Sequence, residues 1–467
     1  MAAKRKPRTI GELRKIGYQV RPIRDEMRQN LVKKLKTGEQ LFPGIVGYED
    51  SVIPQLENAI LAGQDVILLG ERGQAKTRII RSLVNLLDDE IPAIAGCEIN
   101  DNPLNPVCRA CRDKCEEMGD KVEITWLPRE ARYSEKLATP DISIADLIGE
   151  VDPIRVAEGR YLSDELTIHY GLIPRTNRGI FSINELPDLP ERIQVGLFNL
   201  LEERDIQIKG YRIQLPLDIY VVASANPEDY TNRGRIITPL KDRYGAQVRT
   251  HYPRTIEDEI DIVERERSRF GELEDTIVMP QYLKEIIAEF TALARRSPEI
   301  DQRSGVSVRI SISNYETVAS NALRRSLLCG EKLAVPRMSD LPAMVASTMG
   351  KVELESFEEG REPRLIEEIT KKAVLSVFGR YFNTQDLEPL VQRFEEGLIV
   401  DTGSEIPSRE YVKKFKKIER IKEFLAPLEI GESPEMFAAG AEFALEGLHL
   451  NRRLNRDHTN GRYRYSS

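Results

Sequence analysis

The segment DVILLGERGQAKTRIIRSL, Asp65 to Leu83, constrains this chain more than any other. A short apolar run, Val66 to Leu69, leads straight into a glycine-rich turn. Apolar residues then recur at helical spacing at Ile79, Ile80, Leu83, Leu86 and Leu87. That order predicts strand, loop, helix, with GERGQAKT as the loop. Backbone N–H groups of such a loop suit phosphate oxygens. Gly70, Gly73, Gln74 and Ala75 build it; Lys76 is expected to reach the β- and γ-phosphates and the Thr77 hydroxyl to ligate Mg²⁺. Ala75 stands where a second glycine is expected, and alanine is comfortable there only if φ stays below zero.

Two later apolar runs each end in a polar residue, and a third segment sets an arginine before a strand. GIFSINELPDL (Gly179 to Leu189) ends its buried-strand pattern at Asn184 and Glu185, IYVVASANPED at Asn226, and PLKDRYG places Arg243 just before a short strand from Gln247 to Tyr252. Open α/β sheets bind ligands at the carboxyl ends of their strands. A carboxylate to orient water, an amide to hold it and an arginine are the parts phosphoryl transfer needs.

Taken together, these segments resemble the AAA+ ATPases of the group that holds magnesium-chelatase ATPase subunits and MoxR-type chaperones. In MoxR-type members an alanine before the loop lysine is usual. FPGIVGYED, Phe42 to Asp50, is similar to the adenine-side segment of this group and puts Ile45 and Val46 at the base. ANPED resembles the sensor-1 strand with Asn226, LKDRYG the segment bearing the finger arginine, Arg243, and GVSVRISISNYE the lid helix with the sensor-2 arginine, Arg309. The resemblance covers roughly residues 40 to 330. It implies that Glu185 is the water-orienting base and that Arg243 acts on a neighbouring subunit's ATP. Asn184 departs from the pattern, which has an aspartate helping to hold the metal's water shell. An amide still accepts a hydrogen bond from that water, without the charge.

Between Ile142 and Arg178, DLIGEVDP and GLIPRTNRG resemble the chelatase-type helix-2 insert. DIQIKGYRIQL alternates apolar and polar residues about Lys209-Gly210, which predicts a β-hairpin. In the family both insertions face the pore of a ring and act on a partner.

Four of the five cysteines, Cys97, Cys108, Cys111 and Cys115, fall in one short stretch spaced C-x10-C-x2-C-x3-C. Four thiolates suit a closed tetrahedral Zn²⁺ site stapling an excursion between the loop helix and the second strand. The C-x2-C-x3-C run also admits an iron–sulfur cluster, and free thiols stay open as a third possibility. Cys329 stands alone, and the four histidines make no visible set.

The expected fold is α/β: an AAA+ P-loop αβα sandwich with a five-stranded parallel sheet, β-hairpin inserts, a helical lid and a helical C-terminal extension. Residues 1–40 read as a helical lead-in and 41–253 as the nucleotide-binding domain with its Cys-rich insert at 97–115. Residues 254–335 read as the lid and 336–467 as an accessory helical region without strand alternation. There Val412, Phe415, Ile418 and Ile421 predict one amphipathic helix. The basic termini, Lys4 to Arg8 and Asn451 to Ser467, read as solvated tails. With 40% hydrophobic and 31% charged residues the chain can bury full cores beneath a charged surface. No apolar run spans a bilayer and no signal-type h-region opens the chain, so a cytoplasmic protein is expected. A net charge of −8 leaves no overall footprint for nucleic acid.

The resemblance implies ATP and Mg²⁺, a homo-oligomeric ring in the form of a hexamer, and a client with a von Willebrand A domain. Three functions compete: a MoxR-like ATPase that remodels or metal-loads a protein partner, a true magnesium-chelatase subunit acting in porphyrin metallation, and a weakly or non-hydrolysing nucleotide-gated scaffold suggested by Asn184. A sigma-54 activator is disfavoured by the lack of a GAFTGA-like loop.

Overall fold

The computed structural model describes residues 6–152, 165–207, 214–226, 235–302, 305–355, 360–415, 418, 421–431, 433–459 and 462–467. It separates into two compact units, Met1–His251 and Tyr252–Ser467.

The first unit is built on a five-stranded parallel sheet. Its strands are β1 (Val66–Leu69), β4 (Tyr133–Leu137), β7 (Gly179–Asn184), β10 (Ile219–Ala225) and β11 (Ala246–Arg249), in the order β11-β1-β10-β7-β4. Every residue of β1, β7 and β10 is buried, as expected of parallel strands covered on both faces. Alternate residues serve opposite cores. Val66, Leu68, Tyr220 and Val222 pack with Ile23, Met27 and Leu31 of helix α2 (Ile23–Thr37) and with Leu56 and Ile60 of α3 (Val52–Ala62), whereas Ile67, Leu69, Val221 and Ala223 face the other cluster. The register pairs Leu69 with Ala225, Ala223 with Ile183 and Asn184 with Leu137, so the carboxyl ends of four strands finish level.

The lead-in belongs to this unit. Glu26 of α2 and Arg132 are both almost fully buried and form a two-pronged ion pair at 2.7 and 2.6 Å, and the Arg132 Nε donates to the Arg178 carbonyl at 2.8 Å. Short helix α1 (Ile10–Lys15) is joined to the insert, where the Ile10 N–H donates to the Val122 carbonyl and the Ile124 N–H to the Arg8 carbonyl. The insert lies between α4 (Lys76–Ser82) and β4. It holds an antiparallel pair, β2 (Glu90–Ile94) with β3 (Ile124–Pro128), and α5 (Arg109–Met118). The N-terminal basic segment is therefore not a free tail from Lys6 onward: Trp126 Nε1 donates to the Pro7 carbonyl at 2.9 Å and Lys6 pairs with Glu90. Lys4 and Arg5 lie outside the described residues.

Two further antiparallel pairs decorate the unit, β5 (Gly149–Val151) with β6 (Ile168–Tyr170), and β8 (Asp205–Gln207) with β9 (Gln214–Pro216). The latter are the arms of the expected hairpin; its tip at Lys209-Gly210 is outside the described residues, as is 153–164 of the helix-2 insert.

The second unit has one hydrophobic cluster running from Val263 to Tyr465, with no break near residue 336. Beneath it a buried ionic group joins the lid-side helix Arg309–Cys329 to the segments after it. Arg325 pairs with Asp340 and Glu331 at 3.0 Å, and Arg337 pairs with Glu331 at 3.1 Å. Three expectations for this region are corrected. The C-terminal part is not helical throughout, because β12 (Val400–Thr402), β13 (Asn455–Thr459) and β14 (Arg462–Ser466) form a three-stranded antiparallel sheet. Nor is the basic tail a free one: most of its charged side chains are exposed as expected, but the segment is folded, with Tyr465 2% exposed and Arg456 held by the Glu446 carboxylate at 2.6 and 2.7 Å. Pairing of Thr459 with Arg462 leaves Asn460-Gly461 between the strands, a strong hairpin signal in the sequence. Finally, Val412 to Ile421 is not one helix, since a helix ends at Phe415 and another begins at Ile421. Among the described residues no helix is long and apolar enough to cross a membrane.

Replacing Glu26 by Gln should destabilise the first unit by about 3–5 kcal/mol, because the buried Arg132 charge loses its counter-charge. Trp126 is the only tryptophan in the chain and lies in this unit, so its fluorescence during denaturant unfolding reads the loss directly. A cost below about 1 kcal/mol, the range of exposed ion pairs, would show that the pair does not hold the lead-in.

Candidate functional site

The level strand ends bring the candidate residues of three strands and one loop together. Lys76 opens α4 and is 7% exposed. Its Nζ donates to the carbonyls of Gly70 and Glu71 (the latter at 2.8 Å) and to Asn226 Oδ1 at 2.6 Å. Asn226, just past β10, donates through Nδ2 to Glu185 Oε2 at 2.7 Å. The Glu185 N–H donates to Ser224 Oγ at 3.3 Å, and that hydroxyl donates to Asn184 Oδ1 at 3.4 Å. Asn184 in turn donates through Nδ2 to Glu135 Oε1 at 2.7 Å. Glu135 sits on β4, where Arg81 grips its carboxylate at 2.8 and 2.9 Å and the Tyr133 hydroxyl donates at 2.9 Å. Arg81 lies on α4, as Lys76 does. The hydrogen bonds thus form a closed circuit through α4, β10, β7 and β4.

The loop is tightly packed. A Cβ on Gly70 would meet Thr250 Oγ1 at 1.9 Å and Gln74 Oε1 at 2.2 Å, so only glycine fits there. Buried Gln74 accepts from the Thr250 hydroxyl at 2.6 Å and from the Glu71 N–H at 3.1 Å. Gly73 has φ +78°. Thr77 follows Lys76 and is half-buried. Two residues without a glycine's freedom adopt left-handed backbone: Ala75 at φ 55°, ψ 13° and Glu185 at φ 55°, ψ 49°. The condition for an unstrained alanine, φ below zero, is therefore not met at position 75. The loop's turn is imposed by Lys76 and Gln74 on either side, and alanine is the smallest side chain that still bears the strain. In the segment expected to meet adenine, Ile45 is buried and Val46 half-buried. The Tyr48 hydroxyl lies 3.0 Å from the Gln74 carbonyl oxygen and 2.7 Å from that of His251, tying this segment to the loop. Burial pushes that hydroxyl's pKa up to about 12, so it stays a donor. The Arg81 guanidinium, in contrast, holds the Glu135 carboxyl below the usual range and keeps it ionised.

The two arginines take no part in this hydrogen-bond circuit. Arg243 ends the helix Thr238–Arg243, where its Nε donates to Glu202 Oε2 and its Nη1 to the Pro239 carbonyl, both at 2.8 Å, with the guanidinium 4.4 Å from the Phe198 ring centre. Arg309 is the exposed first residue of the helix Arg309–Cys329 in the second unit.

The cysteine cluster differs from the expected four. Cys97, Cys108, Cys111 and Asp101 each place a ligand atom within 4.8 Å of the others, whereas Cys115 is not among them. Cys115 lies one helical turn beyond Cys111 on α5, which carries its thiol along the helix and leaves it half-buried. Cys97 and Cys108 sulfurs are 4.0 Å apart, and Cys108 Sγ accepts from the Cys111 N–H. Thiols packed this closely share one ionisation: S–H donation from Cys108 and Cys111 pulls Cys97 far down, while Cys108 is pushed up. The Asp101 carboxylate already accepts from the N–H groups of Asn102, Val107 and Cys108, so it folds the loop that presents the sulfurs.

A family model described as Sigma-54 interaction domain matches residues 158–240, the stretch carrying β7, the β8–β9 hairpin and β10. Magnesium-chelatase subunit ChlI-2, chloroplastic, of Arabidopsis thaliana is 28% identical over 242 residues, 49% of this chain and 52% of that protein. The Magnesium-chelatase subunit ChlI homolog of Methanocaldococcus jannaschii is 27% identical over 237 residues, 48% of this chain and 58% of its own. Magnesium-chelatase subunit ChlI of Nostoc is 25% identical over 379 residues, 74% of this chain and 91% of that subunit. The chain is similar, at 25–28% identity, to these magnesium-chelatase subunits of the AAA+ group.

The first two of these relatives are matched over only 52% and 58% of their length. Four residues of this site, Glu135, Arg81, Ser224 and Tyr48, are not among those the sequence singles out. Arg81 could have been found, being four residues after Thr77 and so on the same face of the loop helix. Glu135 could not, because its strand lies at the sheet edge and carries no buried apolar run.

Glycine at position 75 should relieve the left-handed strain of about 1–2 kcal/mol, offset in part by its freer unfolded chain, for a net gain of up to about 1 kcal/mol. Valine there, branched at Cβ, should cost more than about 1 kcal/mol. Trp126 fluorescence in denaturant measures both; an Ala75→Gly protein less stable than the native one would contradict the strain at this turn.

Proposed function

We propose that this chain is a Mg²⁺-dependent ATPase that couples ATP hydrolysis to remodelling or metal loading of a protein partner. The observation that carries the reading is the Lys76–Asn226–Glu185 chain of hydrogen bonds, which joins an ammonium, an amide and a carboxylate at the mouth of one loop. An ammonium, a hydroxyl and loop N–H groups around a close-packed glycine are a donor set that fits a triphosphate with a hard divalent cation. Lys76 and the loop N–H groups bind and orient the phosphates, Thr77 supplies a direct oxygen ligand to Mg²⁺, and Asn184 accepts from a water on that ion. The ion, when bound, neutralises charge on the phosphate oxygens. Glu185 orients the attacking water and accepts its proton, with Asn226 fixing one carboxylate oxygen. Ile45 and Val46 offer apolar contact to the base. Arg243 works on the ATP of an adjacent subunit in a head-to-tail ring, a hexamer by family resemblance, once Glu202 releases it. Arg309 serves as the second sensor. A von Willebrand A domain client suits the MoxR-like reading, and a porphyrin-metallating role is the alternative that the chelatase relatives favour. The insert holds a structural Zn²⁺ through Cys97, Cys108 and Cys111, with the fourth place taken by Cys115 or Asp101.

Lys76→Ala should abolish ATP binding, whereas Glu185→Gln should keep binding and lower steady-state turnover by about 10² or more. Unchanged turnover in Glu185→Gln would refute the role of that carboxylate. Mixing inactive Arg243→Ala and Glu185→Gln subunits should restore part of the activity; a mixture that stays inactive while subunits exchange would end the shared-site reading.

Elemental analysis should find about one zinc per chain, and chelation should destabilise the first unit. Of Cys115→Ser and Asp101→Asn, the one that releases the metal identifies the fourth ligand, and protein free of both zinc and iron after reducing purification would leave the four thiols of the insert free.

A further inference from the structure

Asn184 is where the family pattern calls for an aspartate, and an amide has a handicap there that a carboxylate lacks. A carboxylate presents an acceptor oxygen whichever way it is turned. An amide presents an oxygen one way and an NH₂ the other. A water bound to a divalent cation offers hydrogens, so only the oxygen-forward orientation is useful. Something must decide which way Asn184 faces.

The β4–β7 register supplies a decider. Glu135 pairs with Ser182, and Ser182 and Asn184 lie two apart on one face of β7, so the Glu135 side chain stands diagonally across from Asn184. Its Oε1 is 2.7 Å from Asn184 Nδ2. An ionised carboxylate can only accept, so the atom facing it must be the NH₂. Arg81, two-pronged at 2.8 and 2.9 Å, and the Tyr133 hydroxyl at 2.9 Å fix the carboxylate in turn. The remaining Asn184 oxygen is met only by the long 3.4 Å contact from Ser224 among its described hydrogen bonds. Asn184 itself is 7% exposed, so solvent does little to reorient it.

We propose that Glu135 is a positioning residue that locks the Asn184 amide with its oxygen toward the metal side of the site, so that a neutral asparagine does the orienting work of an aspartate. The inference rests on the ATPase reading above. It makes Glu135 and Asn184 one functional unit contributed by adjacent strands, with Arg81 as the clamp that ties it to the loop helix.

The lock is needed only for an amide, and that gives a test. The readout is the affinity of the full chain for a non-hydrolysable ATP analogue with and without Mg²⁺, the ratio giving the coupling to the ion independently of turnover. Glu135→Met, which removes the acceptor at similar length, should lower that ratio about tenfold or more, as loss of an orienting partner of a metal site does. Glu135→Gln, which keeps one acceptor oxygen, should lose less. In an Asn184→Asp background the same Glu135→Met change should cost less than about threefold, because an aspartate needs no orientation. Trp126 fluorescence confirms that each variant is folded. Equal losses in both backgrounds would mean that Glu135 only supports the sheet edge, and the lock would be refuted. A native chain whose affinity for the analogue does not respond to Mg²⁺ would refute the ATPase reading and this inference with it, whereas a responsive native chain with equal losses refutes the lock alone.

Discussion

Everything at the site depends on the parallel ladder that joins β4, β7, β10 and β1. Its register finishes these strands level, and that alignment puts Lys76, Asn226, Glu185, Asn184 and Glu135 within one run of hydrogen bonds. A slip of one residue in any strand would turn its polar terminus to the opposite face of the sheet. The register is held from both sides, because odd and even residues of the central strands are committed to separate hydrophobic clusters. Buried area fixes the chemistry indirectly, by fixing where each strand stops.

Two of the left-handed non-glycine residues of the fold lie at the site. Ala75 and Glu185 both take left-handed conformations, and each lies beside a residue whose side chain is tied into the circuit. Such strain persists only where surroundings over-determine it. Glu185 is turned so that its carboxylate meets Asn226 while its N–H meets Ser224. A relaxed backbone there would have to give up one of these. The strain therefore records how closely the loop, β7 and β10 are made to agree.

How much of this was legible in the sequence varied with the kind of signal. Continuous apolar runs followed by a polar residue marked β1, β7 and β10 and their functional ends, because full burial on both faces leaves a strong pattern. The edge strand β4 left none, and with it went Glu135. Cysteine spacing located the cluster but not its geometry: a C-x3-C step places the second thiol a helical turn away, and only the fold shows Asp101 reaching in from the preceding loop. In the second unit, apolar residues at steps of three between Val412 and Ile421 imitated a helix that the fold interrupts. The tail sheet was hidden by charge. Arginines at 456 and 464 suggested a free tail, yet Glu446 receives Arg456, the exposed Arg464 pairs with Asp401, and the Asn-Gly dipeptide at 460–461 was the overlooked hairpin signal.

Tyr48 staples two distant parts of the first unit. Its hydroxyl has a single proton and two carbonyl oxygens within reach, one on Gln74 in the glycine-rich loop and one on His251, the last residue of the first unit. One donor cannot serve both fully, so the two carbonyls compete for it. A single side chain before the loop thus answers for the backbone of the loop and of the segment that follows β11.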